Sequence, residues 1–146
     1  MHEKQQSTGL DSFTRNYLYV LAGLALVGCI WWLGSLDFRV IEINELLEAD
    51  TRLAVYPYPF RVVSLEEGVA QVSSPRSATL SAIQSLRVMY PELQQRSAVS
   101  DEMMVAQEEL ARTQSYAGEL VKSQQGVSSV RWVLDRRWLE NNGVSL

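Results

Sequence analysis

The chain has 146 residues, a formal net charge of −4 and 47% hydrophobic residues, with a single cysteine and a single histidine. That length holds one modest domain. A lone cysteine rules out an internal disulfide, and an acidic balance with no basic stripe argues against nucleic acid as a partner.

Residues 1–16 form a polar tail in which Lys4 and Arg15 balance Glu3 and Asp11, so the excess negative charge belongs to the remainder. The only histidine, His2, lies in this tail. A metal site would have to use carboxylates alone, and no D-x-D-x-D-G run suggests one.

Tyr17 to Leu36 carries no charge and no proline. As a helix, this run of about 20 residues spans about 30 Å, the thickness of a hydrocarbon core. Tyr17 and Tyr19 near one end, with Trp31 and Trp32 nearer the other, match the aromatic rings that settle at membrane interfaces. The expectation is a transmembrane signal-anchor. A cleaved signal peptide is a poorer fit, because Gly34 and Ser35 make a weak small-x-small site. Leu26-Val27-Gly28-Cys29 resembles a bacterial lipobox, which would make Cys29 a lipidation site, but Ile30 to Leu33 continue the apolar run where a lipoprotein turns polar. Lys and Arg are balanced across the run, so orientation rests on the usual layout of a signal-anchor. The N-terminus is then cytoplasmic, and the following domain is periplasmic at a bacterial inner membrane. Ala22, Gly23, Ala25 and Gly28 supply small residues for close approach of another helix.

Residues 37–54 read as a juxtamembrane helix and connector. Leu36, Val40, Ile43 and Leu47 recur at helical spacing, and Glu48 is placed to pair with Arg52 at i,i+4. The domain proper spans residues 55–140. Tyr56-Pro57-Tyr58-Pro59 is extended, since each residue before a proline is pushed out of helical space. Phe60–Leu65 and Val69–Ser73 read as strands joined by Glu66-Glu67-Gly68 in a hairpin. Ser74-Pro75-Arg76-Ser77 breaks it, and a weaker helix follows from about Ala78 to Met89, ended by Tyr90-Pro91. Ser100 caps the longest helix of the domain, with Asp101 and Glu102 at the positive end of its dipole. Met103, Ala106, Leu110, Ala117, Leu120 and Val121 form its core stripe, and Gly126 stops it. Val127–Leu134 is a strand with Val130, Trp132 and Leu134 on one face. Asp135–Glu140 makes a last turn before a frayed end at residues 141–146. The fold class expected is α+β: an N-terminal transmembrane helix, then a small domain whose three-stranded sheet, hairpin plus C-terminal strand, is packed by helices on one face.

This order of elements resembles the BON family, small envelope-associated modules of bacteria. The matching pieces are Ile43–Asp50, Arg61–Leu65, Gly68-Val69 into Ala70–Ser73, Met103–Ser123, and Gly126-Val127-Ser128-Ser129-Val130 into Leu134. The segment Ser77–Val99 departs from the family pattern as an insertion. The resemblance implies a non-enzymatic binder of phospholipid or another envelope component. The layout of tail, span, helix and small α/β domain is also similar to assembly-platform subunits of pilus and type II secretion machines, an analogy of architecture only.

Chemistry is sparse. Cys29 and His2 lie outside the domain, so no Cys-His or Ser-His arrangement forms within it. The acid pairs Glu66–Glu67, Asp101–Glu102 and Glu108–Glu109 read as solvated surface, and there is no P-loop or G-x-G-x-x-G. No catalytic residue, cofactor, metal or small-molecule substrate is expected. Candidate partner contacts are Tyr56 and Tyr58, Pro75-Arg76-Ser77, and Arg136, Arg137 and Trp138, where tryptophan and arginine suit an interface anchor. Trp132 is assigned to the core. The function expected is an accessory or docking subunit of an inner-membrane or envelope complex, with membrane and protein partners; the alternative is a BON-like envelope surface binder.

Overall fold

The structure, a computed structural model, describes residues 12–34, 37–77 and 80–146. The chain divides into two compact units, Met1–Leu36 and Asp37–Leu146. In the first, α1 runs from Ser12 to Gly34.

Among the described residues no helix is long and apolar enough to cross a membrane. This corrects the expected span at Tyr17–Leu36, and with it the signal-anchor and the single-pass inner-membrane placement with its cytoplasmic tail and periplasmic domain. The helix begins at Ser12, and Thr14-Arg15-Asn16 put polar and charged residues within its first turns. Its described apolar side chains extend from Tyr17 to Trp32, about 24 Å of helix against a hydrocarbon core of about 30 Å. Ser35 and Leu36, counted into the expected span, lie outside the described residues.

The second unit is α+β with a three-stranded mixed sheet. Asp37 caps α2, Phe38–Ala49, by accepting from the backbone N–H groups of Arg39 and Val40. Ile43 and Leu47 form its buried stripe. Asp50 ends this helix and caps the single turn α3, Thr51–Ala54, which the periodicity did not separate from α2. The expected Glu48–Arg52 pair is absent. Glu48 reaches Arg61 at 3.4 Å instead, and the Arg52 guanidinium lies 4.6 Å from the centre of the Tyr116 ring.

The hairpin consists of β1, Val62–Glu66, and β2, Val69–Ser74. Its two-residue turn has positive φ at both Glu67 (48°) and Gly68 (81°), the type I′ geometry whose twist suits a hairpin. A Cβ at Gly68 would lie 2.7 Å from Ser128 Oγ, which donates to the Gly68 carbonyl. The third strand, β3 (Ser129–Leu134), runs parallel to β2, giving the order β1-β2-β3. Register pairs Ala70 with Val130, Val72 with Trp132, and Ser74 with Leu134. An irregularity between Val62 and Ser64 turns Val63 outward, 61% exposed.

Ser81 and Gln84 form a capping box that starts α4, Ala82–Met89. A 3-10 turn at Pro91–Leu93 follows, because proline carries the fixed φ that a first helical position accepts. The long helix α5, Asp101–Lys122, is capped by the Ser100 hydroxyl, which accepts from Met103 N–H. It lies against β2, β3, α2 and α4. Met103, Ala106, Leu110, Ala117 and Val121 bury its apolar stripe, joined by the polar Thr113 and Gln114, which the stripe did not include. Where α5 crosses β3, a Cβ at Gly118 would meet the Trp132 ring at 3.0 Å, so any larger residue makes the ring shift. Asp135 caps the last helix, α6 (Arg136–Asn141), whose Leu139 is fully buried.

Candidate functional site

Two adjoining cavities of about 490 Å³ each lie along the N-terminal half of α5. Arg52, Tyr56, Pro57, Glu108, Arg112 and Thr113 help to line the first; Glu92, Leu93, Arg96, Asp101, Glu102 and Ala106 help to line the second. Tyr90, Val105 and Glu109 border both, so the two form one groove. Its walls arise from local signals: the Pro91 turn carries Tyr90 and Glu92, and the Ser100 cap sets the phase of α5. With α5 in that phase, Asp101, Val105, Glu108, Glu109 and Arg112 fall on its outer side at three-to-four spacing. The stretch from Tyr90 to Arg96 thus builds one side of the groove.

Charge in the groove is uneven. Arg112 pairs with Glu108 at 2.6 Å and Arg96 with Glu102 at 3.5 Å. Glu92, Asp101 and Glu109 make no ion pair among the described residues. The Glu102 carboxyl is held below its ordinary range by its own backbone N–H at the helix start and then by Arg96. Outside the groove, Asp50 is lowered first by the Tyr116 hydroxyl, which donates to it at 2.7 Å.

Tyr56 is 8% exposed, and its hydroxyl is buried without a hydrogen-bond partner. It lies beside the Tyr90 hydroxyl but not in hydrogen-bonding geometry, and close to the Glu109 carboxylate. Burial, then the neighbouring Tyr90 and Glu109, push the Tyr56 phenol up; burial and Glu109 do the same to Tyr90. Both phenols are therefore neutral across the physiological range. Among the described residues no group of three or more His, Cys, Asp or Glu side chains is placed to hold a metal ion.

The residues singled out from sequence fall in separate places. Tyr17, Tyr19, Trp31 and Trp32 are exposed on α1, and their reading as membrane-interface rings falls with the span. Ala22, Gly23, Ala25 and Gly28 are exposed on the same helix, with nothing within 4 Å of a Cβ built at either glycine. Cys29 is a free, exposed thiol there. Three of the candidate partner contacts prove to be core: Tyr56, Tyr58 and Pro75. Tyr58 is fully buried, edge-on to Phe60 and to Trp138, and its hydroxyl donates to Asp135 at 3.1 Å. Pro75 is likewise fully buried. Trp138 is half-buried because its ring packs on Tyr58, while Arg136 and Arg137 are exposed. Arg76 and Ser77 are exposed, but Arg76 Nε is held by Gln114 Oε1 at 2.9 Å.

Of these residues, only Tyr56 reaches the groove. Tyr90, Glu92, Val105 and Glu109 were not singled out individually. The available signal was Val105, an apolar residue between acids that falls outside the buried stripe of α5, as the neighbouring Met104 does. The chain matches no family model, no curated protein and no solved structure.

Proposed function

We propose that this protein is a non-enzymatic docking subunit of a larger protein assembly, with α1 as one of its attachment elements. The observation behind this reading is the surface of α1. Leu18, Leu21, Leu24, Leu26, Val27 and Ile30 are each more than half exposed, on every side of the helix. A helix apolar all round is a stable state only when another apolar surface covers it. The unit from Asp37 onward carries its own core, from Ile43 and Leu47 through Tyr58 and Val72 to Leu110 and Val121. The small residues Ala22, Gly23, Ala25 and Gly28 would let a partner helix come close to the backbone.

The test is native electrophoresis of the tagged full chain, extracted in mild detergent, with mass spectrometry of co-migrating proteins. Recovery in a defined complex at fixed stoichiometry, lost on Leu21→Lys with Leu24→Lys, supports docking through α1. Migration alone, or as a small homo-oligomer, refutes it.

A further inference from the structure

We propose that the groove along α5 binds a basic segment of a protein partner, seating a lysine or arginine side chain beside Tyr56, Tyr90 and Glu109. This deepens the docking reading and rests on it for the origin of the segment. It concerns a different surface from α1.

Three observations converge on a cation. First, the arginines that border the groove are already engaged: Arg112 by Glu108, Arg96 by Glu102, and Arg52 over the Tyr116 ring. The carboxylates of Glu92, Asp101 and Glu109 remain unpaired among the described residues, so the groove is net negative where a ligand would enter. Asp101 belongs to the first turn of α5, where the helix dipole accounts for an acid. Glu109 is two turns further in, and Glu92 lies on the 3-10 turn, so the dipole explains neither.

Second, the Tyr56 hydroxyl is more than nine-tenths buried and orphaned at the edge of this same groove. A buried polar group without a partner is costly and rare. The Tyr90 hydroxyl lies next to it, and the charge of Glu109, which borders the same groove, acts on it. A phenol oxygen can accept as well as donate, so an ammonium or guanidinium, a group with donors only, finds acceptors in these phenols and in the Glu109 carboxylate on the groove's border. An anionic ligand would meet the unpaired carboxylates instead.

Third, the apolar part of the groove suits a peptide better than a free amine. Leu93 and Ala106 are buried beneath it, and Val105 stands 63% exposed between the acids. An aliphatic side chain next to the cation would cover Val105, which a small ion would leave in water.

The full chain, kept monodisperse in mild non-ionic detergent, is titrated with a fluorescein-labelled hexapeptide of alternating arginine and leucine, read by anisotropy at low and at physiological salt. Saturable binding is expected, weaker at the higher salt. The double reversal Glu92→Lys with Glu109→Lys should weaken it at least ten-fold. Glu45→Lys with Glu140→Lys, an equal charge change at exposed sites outside the groove, should change it less than two-fold. Tyr56→Phe should weaken it about three-fold with an unchanged circular dichroism spectrum. If the Lys pair fails to fold, Glu92→Gln with Glu109→Gln replaces it, with at least three-fold weakening expected. Equal weakening by the groove and remote pairs would mean general charge attraction and overturn the proposal. So would absence of binding, or equal binding of the glutamate-leucine peptide. Leu21→Lys with Leu24→Lys should leave peptide binding intact, so a failure of docking through α1 and a failure of the groove are read separately.

Discussion

Asn44 closes the outer edge of the sheet, and removing it should show how much that closure contributes to stability. Its Nδ2 donates to the Val62 carbonyl at 2.9 Å, and its Oδ1 accepts from the Val62 N–H at 2.7 Å. One α2 side chain thereby pairs both backbone groups that Val62 turns away from β2, where an open edge would otherwise invite another strand. Asn44→Ala removes two hydrogen bonds and orphans two partly buried groups. Taking about 1 kcal/mol for each, since water can reach part of the site, the loss should be about 2 kcal/mol. For a unit of this size that lowers the melting midpoint by roughly 10 °C. Urea unfolding of the full chain, followed by the fluorescence of Trp132 and Trp138, measures it. Asn44→Asp sharpens the test. Its carboxylate would still accept from Val62 N–H but would face the Val62 carbonyl, so the fold favours the protonated form and raises that pKa above the ordinary value near 4. A raised carboxyl pKa penalises the fold at neutral pH, and the penalty fades as pH falls through the raised value. The gap between the Asp variant and the parent should therefore narrow from pH 7 toward pH 4. A loss under about 0.5 kcal/mol for Asn44→Ala, the scatter of ordinary surface changes, or a gap that ignores pH, would refute the reasoning.

Gly118→Leu should destabilise the unit by about 1–3 kcal/mol through overpacking against Trp132, with a changed near-ultraviolet spectrum. Gly118→Ala should be milder, because alanine's better helix propensity offsets part of the 3.0 Å contact. Ser100→Ala removes the cap on Met103 N–H and should cost about 1 kcal/mol in the same urea experiment. Asp50 and Glu102 both have folded pKa values lowered from the ordinary range. A depressed carboxylate stabilises the fold above its unfolded pKa, near 4, and that contribution is lost as pH falls through the folded value. The urea midpoint should thus drop below about pH 4, and Tyr116→Phe, which removes the largest cause at Asp50, should make the drop shallower.

Local signals in the chain were enough to place most elements of the second unit. Ser100 marks a helix start, Glu67-Gly68 marks a turn requiring positive φ, and the alternation of Val130, Trp132 and Leu134 marks a strand, whereas the Ser81 capping box, which starts α4 at Ala82, was not read from the sequence. These are properties of neighbouring residues, and the physics that acts on them is local. Sequence also identified Tyr17–Leu36 as an uncharged, apolar helix, but hydropathy alone read it as a membrane span. The described helix carries Thr14, Arg15 and Asn16 near its start and an apolar stretch of about 24 Å.

Long-range packing decided the rest. Whether a tyrosine in Tyr56-Pro57-Tyr58 contacts a partner depends on what folds over it. Asp135 and Trp138, far away in sequence, buried Tyr58, and the turn at Tyr90 enclosed Tyr56. Glu48 had two arginines within reach, and the return of β1 beneath α2 gave it Arg61 rather than Arg52. The acids of α5 read as ordinary solvated surface until Pro91 brought Glu92 and Tyr90 alongside them. Burial and charge environment are sums over neighbours distant along the chain, so only the tertiary fold could assign them.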